Sequence, residues 1–90
     1  MDFLSILTIL DADLRRETVS LKNDKEVCSW TSDELFNVTV TVDNEESDFL
    51  DVHRICLVNK SDSIFVYLNY NNRFKYSKLD LTDVSVFSIS

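Results

Sequence analysis

The chain has 90 residues, enough for one domain (residues 1–90) with a single hydrophobic core. With 44% hydrophobic and 28% charged residues, its composition is typical of a globular protein and argues against disorder. A net charge of −7 argues against direct binding to nucleic acid or to an anionic membrane, and the absence of Gly excludes glycine-rich phosphate-binding loops.

The lack of Gly and Pro also means that turns must be made by Asn, Asp and Ser, which are common in this chain. Only one Ala is present, whereas Asn, Lys, Ile, Phe, Tyr and Ser are frequent. This bias is typical of an AT-rich genome. It suggests a virus, a phage or a low-GC bacterium as the source, as a hypothesis from composition alone.

Residues 2–15 are predicted to form a helix with Asp2 as its N-cap, because large apolar residues recur at three- and four-residue spacing: Phe3, Leu7, Leu10 and Leu14. The apolar face is wide, so we expect the helix to pack on a sheet; the alternative is a partner-binding or dimerising helix. The segment lacks the basic start and the cleavage site of a signal peptide and is too short to span a bilayer. An intracellular, cytoplasmic location without membrane association is therefore predicted.

Alternating apolar and polar residues predict about six to seven short strands after the helix. Between the second and third of them, residues 31–34 fit either one helical turn or a loop. The expected fold is α+β, an N-terminal helix packed on an antiparallel sheet that could curl towards a small barrel. The predicted strands are Thr18–Lys22, Glu26–Trp30, Phe36–Val42, Val52–Val58, Ile64–Asn69, Arg73–Ser77 and Val84–Ile89.

The aromatic stretch Ser63–Ser77 is predicted to be a β-hairpin. A two-residue loop would mix apolar and polar side chains on one face, whereas a three-residue loop, Tyr70–Asn72, places Leu68 opposite Phe74 and Val66 opposite Tyr76. We therefore expect the three-residue loop, with Tyr70 exposed at its tip. The expected core face is Ile64, Val66, Leu68, Phe74 and Tyr76.

The segment Asp43–Asp51 has five carboxylates in nine residues and no basic residue. It fits either a solvated connection between strands or an acidic binding loop for a basic partner, in which the apolar pair Phe49 and Leu50 would help to anchor the contact. The candidate partner-binding residues are Asp43, Glu45, Glu46, Asp48, Phe49, Asp51 and Tyr70.

Motifs for catalysis, metals or cofactors are weak, and we expect no enzyme activity and no cofactor. His53 and Cys56 have half of a zinc-site spacing, but only Cys28 and scattered carboxylates remain to complete four ligands. Both cysteines lie in apolar runs, which favours reduced, buried thiols; a disulfide would require secretion.

These features predict a small, acidic, non-enzymatic inhibitor that covers a basic site on a partner protein, such as a protein that handles nucleic acid. A viral or phage counter-defence factor and the immunity protein of a basic toxin are both examples of this class. The alternative is an assembly subunit, for example a homodimer, that self-associates through a strand edge or through the N-terminal helix.

Overall fold

The computed structural model describes residues 1–22, 25–60, 63–71 and 75–90. In this part of the chain one helix, α1 (Phe3–Asp13), packs on six antiparallel strands, which confirms the predicted α+β fold. The sheet is not closed into a barrel. The strands are β1 (Arg15–Lys22), β2 (Lys25–Val42), β3 (Glu45–Lys60), β4 (Ser63–Tyr70), β5 (Tyr76–Asp80) and β6 (Val84–Ile89).

The long β2–β3 hairpin is the spine of the sheet. On the outer edge of β2, β1 pairs with the first half of the strand and β6 with the second half, so that they lie end to end. On the outer edge of β3, β4 pairs with residues 52–60, and β5 then pairs with β4. The two edges of the spine are therefore covered differently.

The helix prediction is confirmed. Asp2 caps α1 by accepting a 2.8 Å hydrogen bond from the Ser5 N–H, and hydrogen bonding by the side chain and then by the backbone N–H of Ser5 lowers the pKa of Asp2. Ile6 and Leu10 are fully buried against the sheet, whereas Leu4 is 71% exposed on the opposite side. The helix thus packs on the core, as expected.

Trp30 joins this helix to the sheet. Its side chain is completely buried, and its indole Nε1–H donates a 2.8 Å hydrogen bond to Oδ1 of Asp11 at the end of α1. The Arg16 guanidinium bonds both carboxylate oxygens of Asp11 and lies 5.7 Å from the centroid of the Trp30 ring. The bonds from Arg16, and then the bond from Trp30, lower the pKa of Asp11 despite partial desolvation.

The prediction of two separate strands at residues 26–30 and 36–42 is wrong, because both belong to the 18-residue strand β2. Residues 31–34, expected as a helical turn or a loop, continue this strand. The register with β3 shifts between Thr31 and Phe36, so a bulge absorbs the extra residues. Pairing on either side of this segment, with β1 and β3 up to Thr31 and with β3 again from Phe36, outweighs its weak local preference for a turn.

The predicted register of the aromatic hairpin is also wrong. Leu68 pairs with Ser77 and Val66 with Leu79, three residues further along than expected. This register places Leu79, rather than Tyr76, against the core, and Tyr76 is 63% exposed opposite Asn69. The prediction maximised apolar pairs close to the turn and did not count the apolar side chains beyond it.

Several predicted features lie outside the described residues. These are Asn23 and Asp24 of a turn predicted at residues 23–25, Ser61 and Asp62 of a turn predicted at residues 59–62, and residues 72–74 of the aromatic hairpin. The last group includes Phe74, which was expected in the core.

Candidate functional site

The acidic segment is not a loop. Only Asp43 and Asn44 form a turn, and β3 begins at Glu45, paired with Val42 of β2. Both turn residues have positive φ, 51° and 65°, which is the type I′ geometry that matches the twist of a two-residue hairpin. Asp and Asn adopt this conformation more readily than other residues, which is how a chain without Gly makes the turn. We call residues 36–52 the acidic hairpin.

The five predicted carboxylates are all exposed but do not share one face. Glu46 and Asp48 lie opposite Thr41 and Thr39, and side chains of directly paired residues project from the same face of a sheet. Thr39 Oγ1 donates a 2.8 Å hydrogen bond to Oδ1 of Asp48. We call this side, which is opposite the helix, the outer face.

Glu45 pairs with Val42 and therefore projects towards the helix-covered face, as does Phe49, which pairs with the buried Val38. Asp43 lies in the turn. Asp51 has a φ of 58°, and its N–H donates a 3.2 Å hydrogen bond to Oδ1 of Asn37. The site is thus an acidic strand and turn with carboxylates on both sides.

Basic side chains do not neutralise these carboxylates in the part of the chain that is described. The three ion pairs found there join Arg15 to Asp33, Arg16 to Asp11, and Arg54 to Glu17. The sequence from Glu34 to His53 contains no Lys or Arg, and the neighbouring strand β6 has no charged residue. The negative potential of the hairpin is therefore directed into solvent.

The apolar surface beside the carboxylates differs from the one expected. Phe49, chosen as an anchor, is half-buried and packs against the core. Leu50 is instead 61% exposed, and Val86, which pairs with Thr41 on the outer face, is 52% exposed. Sequence reasoning noted the apolar pair Phe49 and Leu50 but chose Phe49 as the anchor, and it missed Val86; the alternation of a strand would have placed Leu50 on the face opposite Phe49.

Tyr70 is not the exposed tip that was predicted. It pairs with Val52, next to the end of the acidic segment, and its ring is half-buried against the core. Its hydroxyl lies 2.8 Å from Oγ of Ser77, and the Lys75 ammonium lies 5.1 Å from its ring centroid. The reason is that Tyr70 belongs to strand β4, of which it is the last residue, rather than to the turn.

The groups that could carry other chemistry are dispersed. Cys28 is buried and Cys56 half-buried, and no disulfide joins them. His53 is exposed on β3. Across residues 1–22, 25–60, 63–71 and 75–90, no three His, Cys, Asp or Glu side chains form a group that could hold a metal ion.

Comparisons with known proteins do not identify a relative. Neither the protein-family models, the curated proteins nor the solved structures gave a match to this chain. No helix in the described residues has the length and hydrophobicity needed to cross a membrane.

Proposed function

We propose that this protein is a small, non-enzymatic inhibitor that binds a basic surface of a partner protein through its acidic hairpin. The observation that supports the proposal is the exposed run of carboxylates on β3 and its turn, for which the described residues offer no cationic partner. Negative charge of this kind accelerates encounter with a basic protein and selects against acidic ones.

The partner class follows from the charge and from the apolar groups beside it. A basic protein surface that normally binds nucleic acid would present Lys and Arg to Glu46 and Asp48, and apolar stems to Leu50 and Val86. Covering such a surface would prevent the partner from binding nucleic acid. A viral or phage factor acting in the cytoplasm of a host cell, or an immunity protein for a basic toxin, would work in this way.

The test compares two variants of equal net charge. Glu46→Gln/Asp48→Asn removes two carboxylates from the hairpin, whereas Asp13→Asn/Asp83→Asn removes two exposed carboxylates elsewhere. Each protein is immobilised and exposed to a host lysate at about 50 mM and about 500 mM salt, and the captured proteins are identified by mass spectrometry.

We expect the native chain and the Asp13/Asp83 variant to capture the same basic protein at low salt, and the Glu46/Asp48 variant to lose it. Added nucleic acid should displace the captured protein if its nucleic-acid site is the one covered. Equal capture by both variants, or capture that high salt does not weaken, would contradict the proposal.

Self-association through the N-terminal helix is the second candidate function, and the observation that favours it is Leu4, which is 71% exposed on α1. Light scattering over a range of concentrations tests it directly. A mass that rises from monomer to dimer in the pure protein would support assembly, and a constant monomer mass would not.

A further inference from the structure

The outer edge of β3 is covered along only part of its length. β4 pairs with β3 from Lys60 back to Val52 and ends there, because Tyr70, the last residue of β4, is opposite Val52. In the described part of the chain no strand pairs with this edge over residues 45–50. On the other side of the spine the corresponding position is occupied, since β6 continues along β2 beyond β1.

The hydrogen-bonding direction of each residue along this edge follows from the pairing of β6. Asn37 and Ser90 exchange two backbone hydrogen bonds of 2.8 and 2.9 Å, so the backbone groups of Asn37 point towards β6. Direction alternates along a strand, so Thr39 and Thr41 also point towards β6, and Val38, Val40 and Val42 point towards β3.

In β3 the partners of these three valines, Phe49, Ser47 and Glu45, direct their backbone groups back to β2. The residues between them therefore direct their N–H and C=O groups away from the sheet. Glu46 and Asp48 thus present a short ladder of open donors and acceptors, about 20 Å long over residues 45–50. An open edge of this kind accepts an added strand.

A second copy of the chain is disfavoured as the occupant. Antiparallel pairing of two identical edges would set Glu46 opposite Glu46 or Asp48, or Asp48 opposite Asp48, and like charges directly opposite each other destabilise a sheet. A basic segment would instead place positive side chains opposite these carboxylates, and opposite charges on paired residues stabilise a sheet. Its alternate Lys or Arg side chains would lie beside Glu46 and Asp48 on the outer face, and its other side chains would extend the face that contains Phe49.

We infer that the open edge of β3 at residues 45–50 binds an extended, basic segment of the partner protein, which adds to the sheet as a strand collinear with β4. This inference rests on the proposed function and specifies its mode of binding. Backbone hydrogen bonds to the edge would fix the position of the added strand, and the carboxylates would select a segment with basic side chains.

The test uses fluorescein-labelled Lys-Val-Lys-Val-Lys-Val-Lys as the probe and fluorescence anisotropy as the measurement. Its control, the same peptide N-methylated on the backbone nitrogen of every Lys, has the same charge, but it lacks the N–H groups that would face Glu46 and Asp48 in an antiparallel pair and so cannot form the ladder. The matched protein variants are Asp48→Pro and Asp48→Ala. Both variants remove the carboxylate, but only Asp48→Pro also removes the outward N–H of residue 48. An open edge accepts proline at this position because the missing N–H would have pointed away from the sheet.

We expect the Lys-Val probe to bind the native chain at least about tenfold more tightly than its N-methylated control, and Asp48→Pro to bind the Lys-Val probe about tenfold more weakly than Asp48→Ala. The N–H groups of Glu46 and Asp48 should become protected from hydrogen exchange when the Lys-Val probe binds. This last measurement uses the native chain and so remains decisive if Asp48→Pro does not fold.

Equal binding of the two probes without amide protection would overturn strand addition and leave the proposed function standing, because charge alone would then hold the partner. Absence of binding by both probes at low salt would count against the proposed function itself. Concentration-dependent protection of the same amides without any probe would overturn the choice of occupant and assign the edge to a second copy.

Discussion

Asp11 is the residue whose removal should most clearly loosen the helix from the sheet. Its carboxylate accepts hydrogen bonds from the completely buried Trp30 indole and from Arg16 of β1. Asp11→Ala leaves the buried N–H without this acceptor, which costs about 1–3 kcal/mol. The Arg16 pair is more than a third exposed on both sides, so its loss adds only about 0–1 kcal/mol after solvent screening.

We therefore expect Asp11→Ala to lower the free energy of unfolding by about 1–4 kcal/mol. Asp11→Asn keeps an oxygen acceptor for the indole and should cost about 1 kcal/mol or less. Asp13→Ala is the control, because Asp13 is exposed on the same helix, and we expect a change within about 0.5 kcal/mol. Urea unfolding followed by the fluorescence of the single Trp measures all three.

The hydrogen-bond account also predicts a pH dependence. The pKa of Asp11 is lowered in the folded state, so its ionisation stabilises the fold above the unfolded-state pKa of about 3.9. This contribution should decline as the pH falls below about 4 and disappear below the folded-state pKa. The difference between the native chain and Asp11→Asn should therefore shrink at low pH. A small and equal loss for Asp11→Ala and Asp11→Asn would refute the role assigned to the indole bond.

Three further results are expected. In urea unfolding, Leu68→Ala should cost about 2–5 kcal/mol by leaving a core cavity, whereas Tyr76→Ala should cost under about 1 kcal/mol; equal losses would contradict the observed register of β4 and β5. In thermal unfolding, Asn44→Ala should be destabilising by about 1 kcal/mol because its φ is positive, and Asn44→Gly should not be. In anisotropy titrations of the Lys-Val probe against salt, Glu46→Lys/Asp48→Lys should abolish binding and flatten the salt dependence; unchanged affinity would exclude the outer face as the contact.

The fold could be predicted where one local signal dominated. The Asp2 cap and the spacing of the apolar residues in α1 identified the helix, and the alternation Phe36–Val42 identified the second half of β2. Where the outcome depended on a partner strand, local patterns failed. Residues 31–34 extend because β3 pairs across a bulge, and Tyr76 is exposed because Leu79 occupies the position opposite Val66.

The sequence predicts the residues of the site but not their conformation. The run of carboxylates in Asp43–Asp51 is evident in the sequence, but charge reduces strand propensity, and the segment was therefore expected to be a loop. The segment forms a strand because it pairs with Val38–Val42 of β2, where Val38 and Val40 are buried in the core. The open edge could not be inferred at all, since it depends on where β4 ends.

Hydrogen exchange of every backbone amide, with and without the bound basic partner or the Lys-Val probe, tests the central claim most directly. Binding through the acidic hairpin predicts new protection concentrated at residues 45–50, strongest at the outward N–H groups of Glu46 and Asp48. Protection centred on β5 or on α1, with residues 45–50 exchanging as in the free protein, would contradict it.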